Sequence, residues 1–277
     1  MIAVRHLETV LRRAPLGLRF VDLARAAYVT DGLEVAAWAM GGGKPGRPAV
    51  RSPLSGVYGF RTLPGLRPYE VGERPAGDWC PSADAAPNFV VYVEDRLGRF
   101  LPQVLSLCLP REHLVEVPLF SAPARAPLPG MAVVRGELWD RAGQRPAGWA
   151  MVTASVAEGA SYVAIADARG MFVLFVPYAS ALPPLSGSPP PSSGGVDQLA
   201  WPVVVRVFYQ PAQQEVVPGA NLPHIRSILE QDRAEVYDTA AVHGPSITRT
   251  LRFGQDLVVT TEGLAPPHRS RLLVEAA

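Results

Sequence analysis

The stretch that decides the fold is Val133–Tyr178, VVRGELWDRAGQRPAGWAMVTASVAEGASYVAIADARGMFVLFVPY. Alternating apolar residues run into an Asp-x-x-Gly turn at Asp140–Gly143, and a second strand is expected over Trp149–Val156. A third follows at Tyr162–Ala166, then a tight turn at Asp167–Gly170 and a fourth strand at Met171–Val176. Period-two alternation between glycine-bearing turns places one face of each strand in a core and the other toward solvent.

Working outward, the remaining chain extends or repeats this unit. The 277 residues suffice for two domains, and 48% hydrophobic content against 18% charged allows a sizeable core. With 29 Pro and 25 Gly lying between short apolar runs, many short strands fit better than long helices. Strands are expected at LRFVDLA (18–24), LEVAAWAM (33–40), LVEVPLF (114–120), WPVVVRVFYQ (201–210, in a central position) and in the C-terminal TRTLRFGQDLVVTTEG and RLLVEA. NFVVYVEDRLGRFLPQVLSLCLP is a hairpin, with arms Phe89–Val93 and Phe100–Leu109 and Gly98 available for positive φ. A helix is expected over 222–237, with Pro223 in its first turn and Ile225, Ile228 and Leu229 on one stripe. Residues 1–17 read as an arm, a short helix or an edge strand, and 41–48 (GGGKPGRP), 67–87 and 182–198 as loops, the last one mobile. The Pro/Ala tract SAPARAPLPG (121–130) has no apolar periodicity and is expected to be extended polyproline. The expected layout is a first module at 1–120, a linker at 121–132 and a second module at 133–277.

The two modules can be superposed in sequence. Ser55-Gly56-Val57-Tyr58-Gly59-Phe60 matches Arg169-Gly170-Met171-Phe172-Val173-Leu174, and Asp22…Gly32-Leu33-Glu34-Val35 mirrors Asp140…Gly148-Trp149-Ala150-Met151. The Val133–Tyr178 frame resembles the carboxypeptidase-regulatory-like module, a transthyretin-type β-sandwich, at Gly136, Asp140, Gly143, Pro146, Gly148, Asp167, Gly170, Phe172 and Leu174. The resemblance extends more loosely to 18–66, where Ser-Pro-Leu-Ser replaces Thr-Asp. It implies a mostly β fold of two such sandwiches in tandem, with one short helix in the second, and it leaves function open. The whole layout also resembles accessory proteins encoded with phage-tail-like contractile injection systems, which implies a structural subunit carried into a released particle.

No catalytic motif stands out. Ser55 precedes Gly56, but Pro53 occupies the place of the first glycine in a nucleophile elbow, so Ser55 reads as a turn serine. His6, His113, His224, His243 and His268 are scattered without metal-ligand spacing and read as surface residues, so no metal is expected. Asp140, Asp167 and the pair Glu94-Asp95 sit at turns, where turn capping is a simpler reading than calcium binding. Glu230, Asp232 and Glu235 with Arg226 and Arg233 read as a solvated face. GGGKPG lacks the spacing of a phosphate loop, and no cofactor is expected. Trp38, Trp139, Trp149 and Trp201 fall on or beside strands and read as core, whereas Trp79, in a polar loop, is the candidate exposed contact. Cys80 and Cys108 could pair, but Cys108 lies in the apolar run VLSLCLP and reads as a buried free thiol.

A net charge of +1 gives no general case for nucleic acid, and the basic residues are all Arg except Lys44. The segment 1–17 lacks the apolar run of a signal peptide, and no apolar stretch reaches the roughly 20 residues of a membrane span, so a cytoplasmic chain without membrane insertion is expected. The functional expectation is a non-enzymatic adaptor or structural subunit whose partners are other protein subunits. A carbohydrate- or ligand-binding sandwich and a hydrolase with an unrecognised site are the alternatives.

Overall fold

The computed structural model describes residues 12–82, 85–156, 160–178 and 200–276, and over them the chain is mostly β. The first half lays down β1 (Gly17–Asp22), β2 (Ala27–Val29), β3 (Leu33–Ala39), β4 (Arg47–Pro48), β5 (Val50–Arg51), β6 (Tyr58–Gly59), β7 (Phe89–Asp95), β8 (Gln103–Leu107) and β9 (Val115–Leu119). One sheet has the order β4-β3-β7-β8. In the other, β1 pairs antiparallel with β2 and β6 and parallel with β9. Alternate residues of β1 point inward, so Leu18 and Phe20 meet Phe60, Val91, Val117 and Leu119 in a common core.

The second half continues with β10 (Met131–Asp140), β11 (Arg145–Pro146), β12 (Met151–Val156), β13 (Ser161–Ile165), β14 (Met171–Pro177), β15 (Ala200–Phe208), β16 (Val216–Val217), β17 (Leu222–Pro223), β18 (Glu235–Tyr237), β19 (His243–Gly244), β20 (Ile247–Arg252), β21 (Leu257–Val259) and β22 (Arg271–Glu275). Its sheets are β13-β12-β15-β20 and a larger one built on β10, which pairs antiparallel with β14 and parallel with β21 and β22. The core between them gathers Val134, Leu138, Val152, Phe172, Leu174 and Val205. As expected, β15 is central, flanked by β12 and β20.

Both halves follow one connection pattern. An opening strand (β1, β10) lies between an antiparallel partner (β6, β14) and a parallel closing strand (β9, β22). The facing sheets correspond as β3-β7-β8 and β12-β15-β20. The superposed sequences therefore occupy matching places. Gly56 and Gly170 both turn the chain back at positive φ, 69° and 78°, and Tyr58 and Phe172 then pair with the opening strands at Leu18 and Gly136. Asp22 and Asp140 are both buried at the end of those strands. Gly98 likewise adopts the anticipated positive φ, 65°, at its hairpin turn.

Several expectations are corrected. Cys80 and Cys108 form a disulfide with Cα atoms 5.8 Å apart, because a 3₁₀ turn at Ala76–Asp78 carries Cys80 to the end of β8. The anticipated helix over 222–237 shrinks to α2 (Ile225–Leu229), since Leu222–Pro223 and Glu235–Tyr237 are strands. Backbone pairing overrides helical spacing there: Tyr209 N–H donates to Asp232 O and Ala234 N–H to Val207 O. The 121–130 tract is not a free polyproline spacer, because it turns at Ala122–Arg125 and buries Arg125 and Leu128. Within the 67–87 loop, a short helix α1 (Arg67–Glu70) buries Tyr69. Within 41–48, Arg47 and Pro48 pair with Ala37 and Ala36 at the margin of β3. Residues 1–11 and the 182–198 loop lie outside the described residues. No helix among the described residues is long and apolar enough to cross a membrane.

Candidate functional site

The junction between the two sandwiches gathers the groups with the most functional potential. After β15 the chain leaves the second sandwich and lays β16, β17 and α2 against the first. Val217 enters a buried cluster with Trp38, Val90 and Val104, which lie on the outer face of β3-β7-β8. Ile228 packs with Leu101 and Phe120 of the first sandwich and Ile165 of the second, so three segments share one apolar knot. Burial of each such side chain stabilises the junction by about 1.5–3 kcal/mol.

Polar contacts fix the same register. Val104 forms a parallel bridge with His224, so the insertion prolongs the β4-β3-β7-β8 sheet by an extra partial strand. The half-buried His224 ring faces two amides. Its Nε2 is 2.8 Å from Ser106 N on β8, and its Nδ1 is 3.0 Å from Arg226 N at the start of α2. Burial holds the ring's pKa below its ordinary 6.5, with Arg226 adding to the effect and Glu215 and Glu230 opposing it. Gln231, also buried, donates to Trp149 O at 2.9 Å and Ile228 O at 3.0 Å and accepts from Gln210 N at 3.0 Å. The neighbouring edge strand β9 carries Pro118, whose carbonyl accepts from Gln103 Nε2 at 2.8 Å. That combination blunts the edge against further pairing.

A second tie runs through the linker. Arg125 grips Asp22 with two hydrogen bonds, Nη2–Oδ2 at 2.5 Å and Nη1–Oδ1 at 3.0 Å, and donates to Ser121 Oγ at 2.9 Å. Its guanidinium lies 4.7 Å from the Phe100 ring of the first sandwich and 5.5 Å from the Phe175 ring of the second.

Beside α2 the junction opens into a cleft of about 740 Å³, walled by Leu105 and Leu107 of β8, the Cys108 end of the disulfide, His224, and the opposed charges of Arg111 and Glu215. This is roomy enough for a small ligand or an extended peptide. Among the described residues, no three His, Cys, Asp or Glu side chains gather to hold a metal.

The sequence-selected residues fall elsewhere. Trp79 is half-buried and packs on the first core next to the disulfide. Trp38 is buried, 5% exposed, under the insertion. Asp140 accepts Gly143 N–H at 2.9 Å, Asp167 accepts the N–H groups of Arg169 and Met171 at 2.9 and 3.0 Å, and Asp95 accepts Arg99 N–H at 2.6 Å. These carboxylates cap turns, as anticipated. Ser55 Oγ accepts Val57 N–H at 3.4 Å and is a turn serine. Of the histidines, His6 lies outside the described residues and His113 is exposed. His243 packs on Tyr237 and His268 on Trp139. His224 departs from the surface expectation, and its only sequence signal was a proline beside it and apolar residues following.

No family model and no curated protein sequence matches the chain. Among solved structures, it is similar to a streptococcal ancillary pilin at 10% identity and a TM-score of 0.21, covering 95% of this chain and 62% of the pilin. It is also similar to a C-terminal fragment of the pilus adhesin SpaC of Lactobacillus rhamnosus GG at 8% identity and a TM-score of 0.21, covering 94% of this chain and 96% of the fragment. Superpositions this loose carry no argument about role.

Proposed function

We propose that the chain is a non-catalytic adaptor or structural subunit whose two sandwiches act as one rigid body through protein–protein contacts. The observation that supports this best is a double tie at the junction, with the insertion seated on β8 and linker Arg125 held by Asp22 of the first sandwich while facing Phe175 of the second. A tandem of freely hinged modules needs neither, whereas a spacer that must hold two surfaces at a set angle needs both. The reading of each half as a transthyretin-type sandwich is supported by the shared strand pattern, with its parallel closing strand beside the opening strand. The Cys80–Cys108 disulfide favours an oxidising compartment, or a particle released from the cell, over steady residence in the cytoplasm. A phage-tail-like contractile particle is one such setting.

Cross-linking and mass spectrometry of the chain in its native host tests the adaptor role. Reproducible cross-links from both sandwiches to defined subunits are expected, and a stable monomer without stoichiometric partners would overturn it. Sheath, tube and baseplate genes alongside its own would support the particle setting, and their absence would remove it. The 740 Å³ cleft favours a ligand-binding role as the second reading. Glycan or peptide array binding that disappears in Arg111→Ala would select that reading.

A further inference from the structure

We propose that the β16–β17–α2 insertion is an acid-released latch, with His224 as its proton-sensitive catch, and that release bares the β8 edge of the first sandwich. Both ring nitrogens of His224 face backbone N–H donors, Ser106 N at 2.8 Å on the first sandwich and Arg226 N at 3.0 Å on the insertion itself. A neutral imidazole has one nitrogen with a free lone pair and can accept from one of them; the cation, with hydrogens on both nitrogens, accepts from neither. In the Nδ1–H tautomer the accepted bond is the one from Ser106, so protonation removes it and sets N–H against N–H at the seam.

The seam has few other polar ties. His224 N–H donates within the insertion, to Glu215 O at 2.7 Å, and the main-chain link across to β8 is the Val104 bridge. The charged groups facing the ring are Glu215 ahead of β16, Arg226 and Glu230 on α2, and Arg111 across the cleft. The two carboxylates favour the cation and the two guanidiniums oppose it, while β8 brings no charged side chain. Burial decides the balance against the cation, so the docked ring is less basic than the released one.

A released ring titrates near the ordinary 6.5 and the docked ring lower, so docking is complete above that pH and weakens as pH falls below it. The docking equilibrium loses up to about tenfold per pH unit until the docked ring itself is protonated. Release would expose the outward backbone groups of Val104 and Ser106 and the Trp38–Val90–Val104 surface, a strand edge of the kind that accepts a partner strand. The insertion thus occupies in cis the seat that a partner segment would take.

Amide hydrogen exchange of the full, disulfide-intact chain tests this, between about pH 7.5 and about pH 4.5 and corrected for intrinsic exchange. The expected result is that protection at Ser106 falls by up to about tenfold per pH unit below the onset, while Val90, paired with Trp38 of β3, stays protected. His224→Gln removes the titrating group and is expected to flatten the Ser106 profile. In the unmodified chain, the Ser106 midpoint must coincide with the midpoint of the His224 ring followed by NMR, which decides the matter even if His224→Gln docks poorly. Ser106 protection that does not change, that falls with a different midpoint, or that falls unaltered in a well-docked His224→Gln protein would overturn the proposal.

Discussion

Arg125→Ala probes the lock between the sandwiches at its most buried point. The guanidinium and the Asp22 carboxylate are only 5% and 4% exposed, and the pair is bidentate. An exposed pair of this kind contributes about 0–1 kcal/mol, because water screens it. Here, removing the cation leaves a carboxylate in the interior without its countercharge, which costs about 3–5 kcal/mol. Loss of the stacking on Phe100 and Phe175 adds to this, by about 0.5–1 kcal/mol for each ring. The expected destabilisation of Arg125→Ala is therefore about 4–7 kcal/mol in urea denaturation followed by tryptophan fluorescence. The double variant Asp22→Asn/Arg125→Met removes both charges, keeps an acceptor for Ala24 N–H, and refills the volume, so it is expected to recover most of that loss. A cost below about 1 kcal/mol for Arg125→Ala, or a double variant no more stable than the single one, would refute the assignment of this pair as a buried tie.

Replacing both cysteines by serine frees the loop between residues 80 and 108, and loop-closure entropy puts the loss at about 3–4 kcal/mol, measurable as a fall in the denaturation midpoint. Gly170→Ala and Gly98→Ala separate backbone strain from collision, since both sites have positive φ but only at Gly170 would a Cβ meet a backbone oxygen, Leu138 O at 2.3 Å. Gly98→Ala is expected to cost about 1–2 kcal/mol and Gly170→Ala clearly more, and equal losses would contradict the packing described. Burial alone would raise the carboxyl of Asp95, but hydrogen bonds and charge from Arg99 hold it below its ordinary 3.8. The stability this gives is present above that pH and is lost as pH falls through the lower folded value. Arg99→Gln should therefore lower the melting temperature at neutral pH, and the gap should close as pH falls through the lowered folded value and Asp95 becomes neutral in both proteins.

The architecture was legible where local rules decide it. Val133–Tyr178 declared its strands because glycine and aspartate turns punctuate a strict alternation, and Gly56 and Gly170 marked the repeat because each must take a left-handed conformation. The junction was not legible, because its determinants are distant in sequence. Nothing local distinguishes His224 from other histidines near proline; its role arises from Ser106, over a hundred residues earlier. Arg125 likewise sits in a tract whose proline and alanine content suggests a spacer, and its partner Asp22 lies in the opening strand. The same holds for Cys108, whose apolar neighbours fit a buried thiol while a turn more than twenty residues away supplies its partner. In the 222–237 segment, helical spacing was present but the chain extends instead, because pairing with β15 satisfies its backbone.

The proposed behaviour of the two sandwiches as one body at neutral pH is tested most directly by scanning calorimetry. A double lock of buried ion pair and seated insertion predicts one endotherm for the intact chain, with calorimetric and van't Hoff enthalpies equal. Two resolved transitions, one for each sandwich, would contradict it.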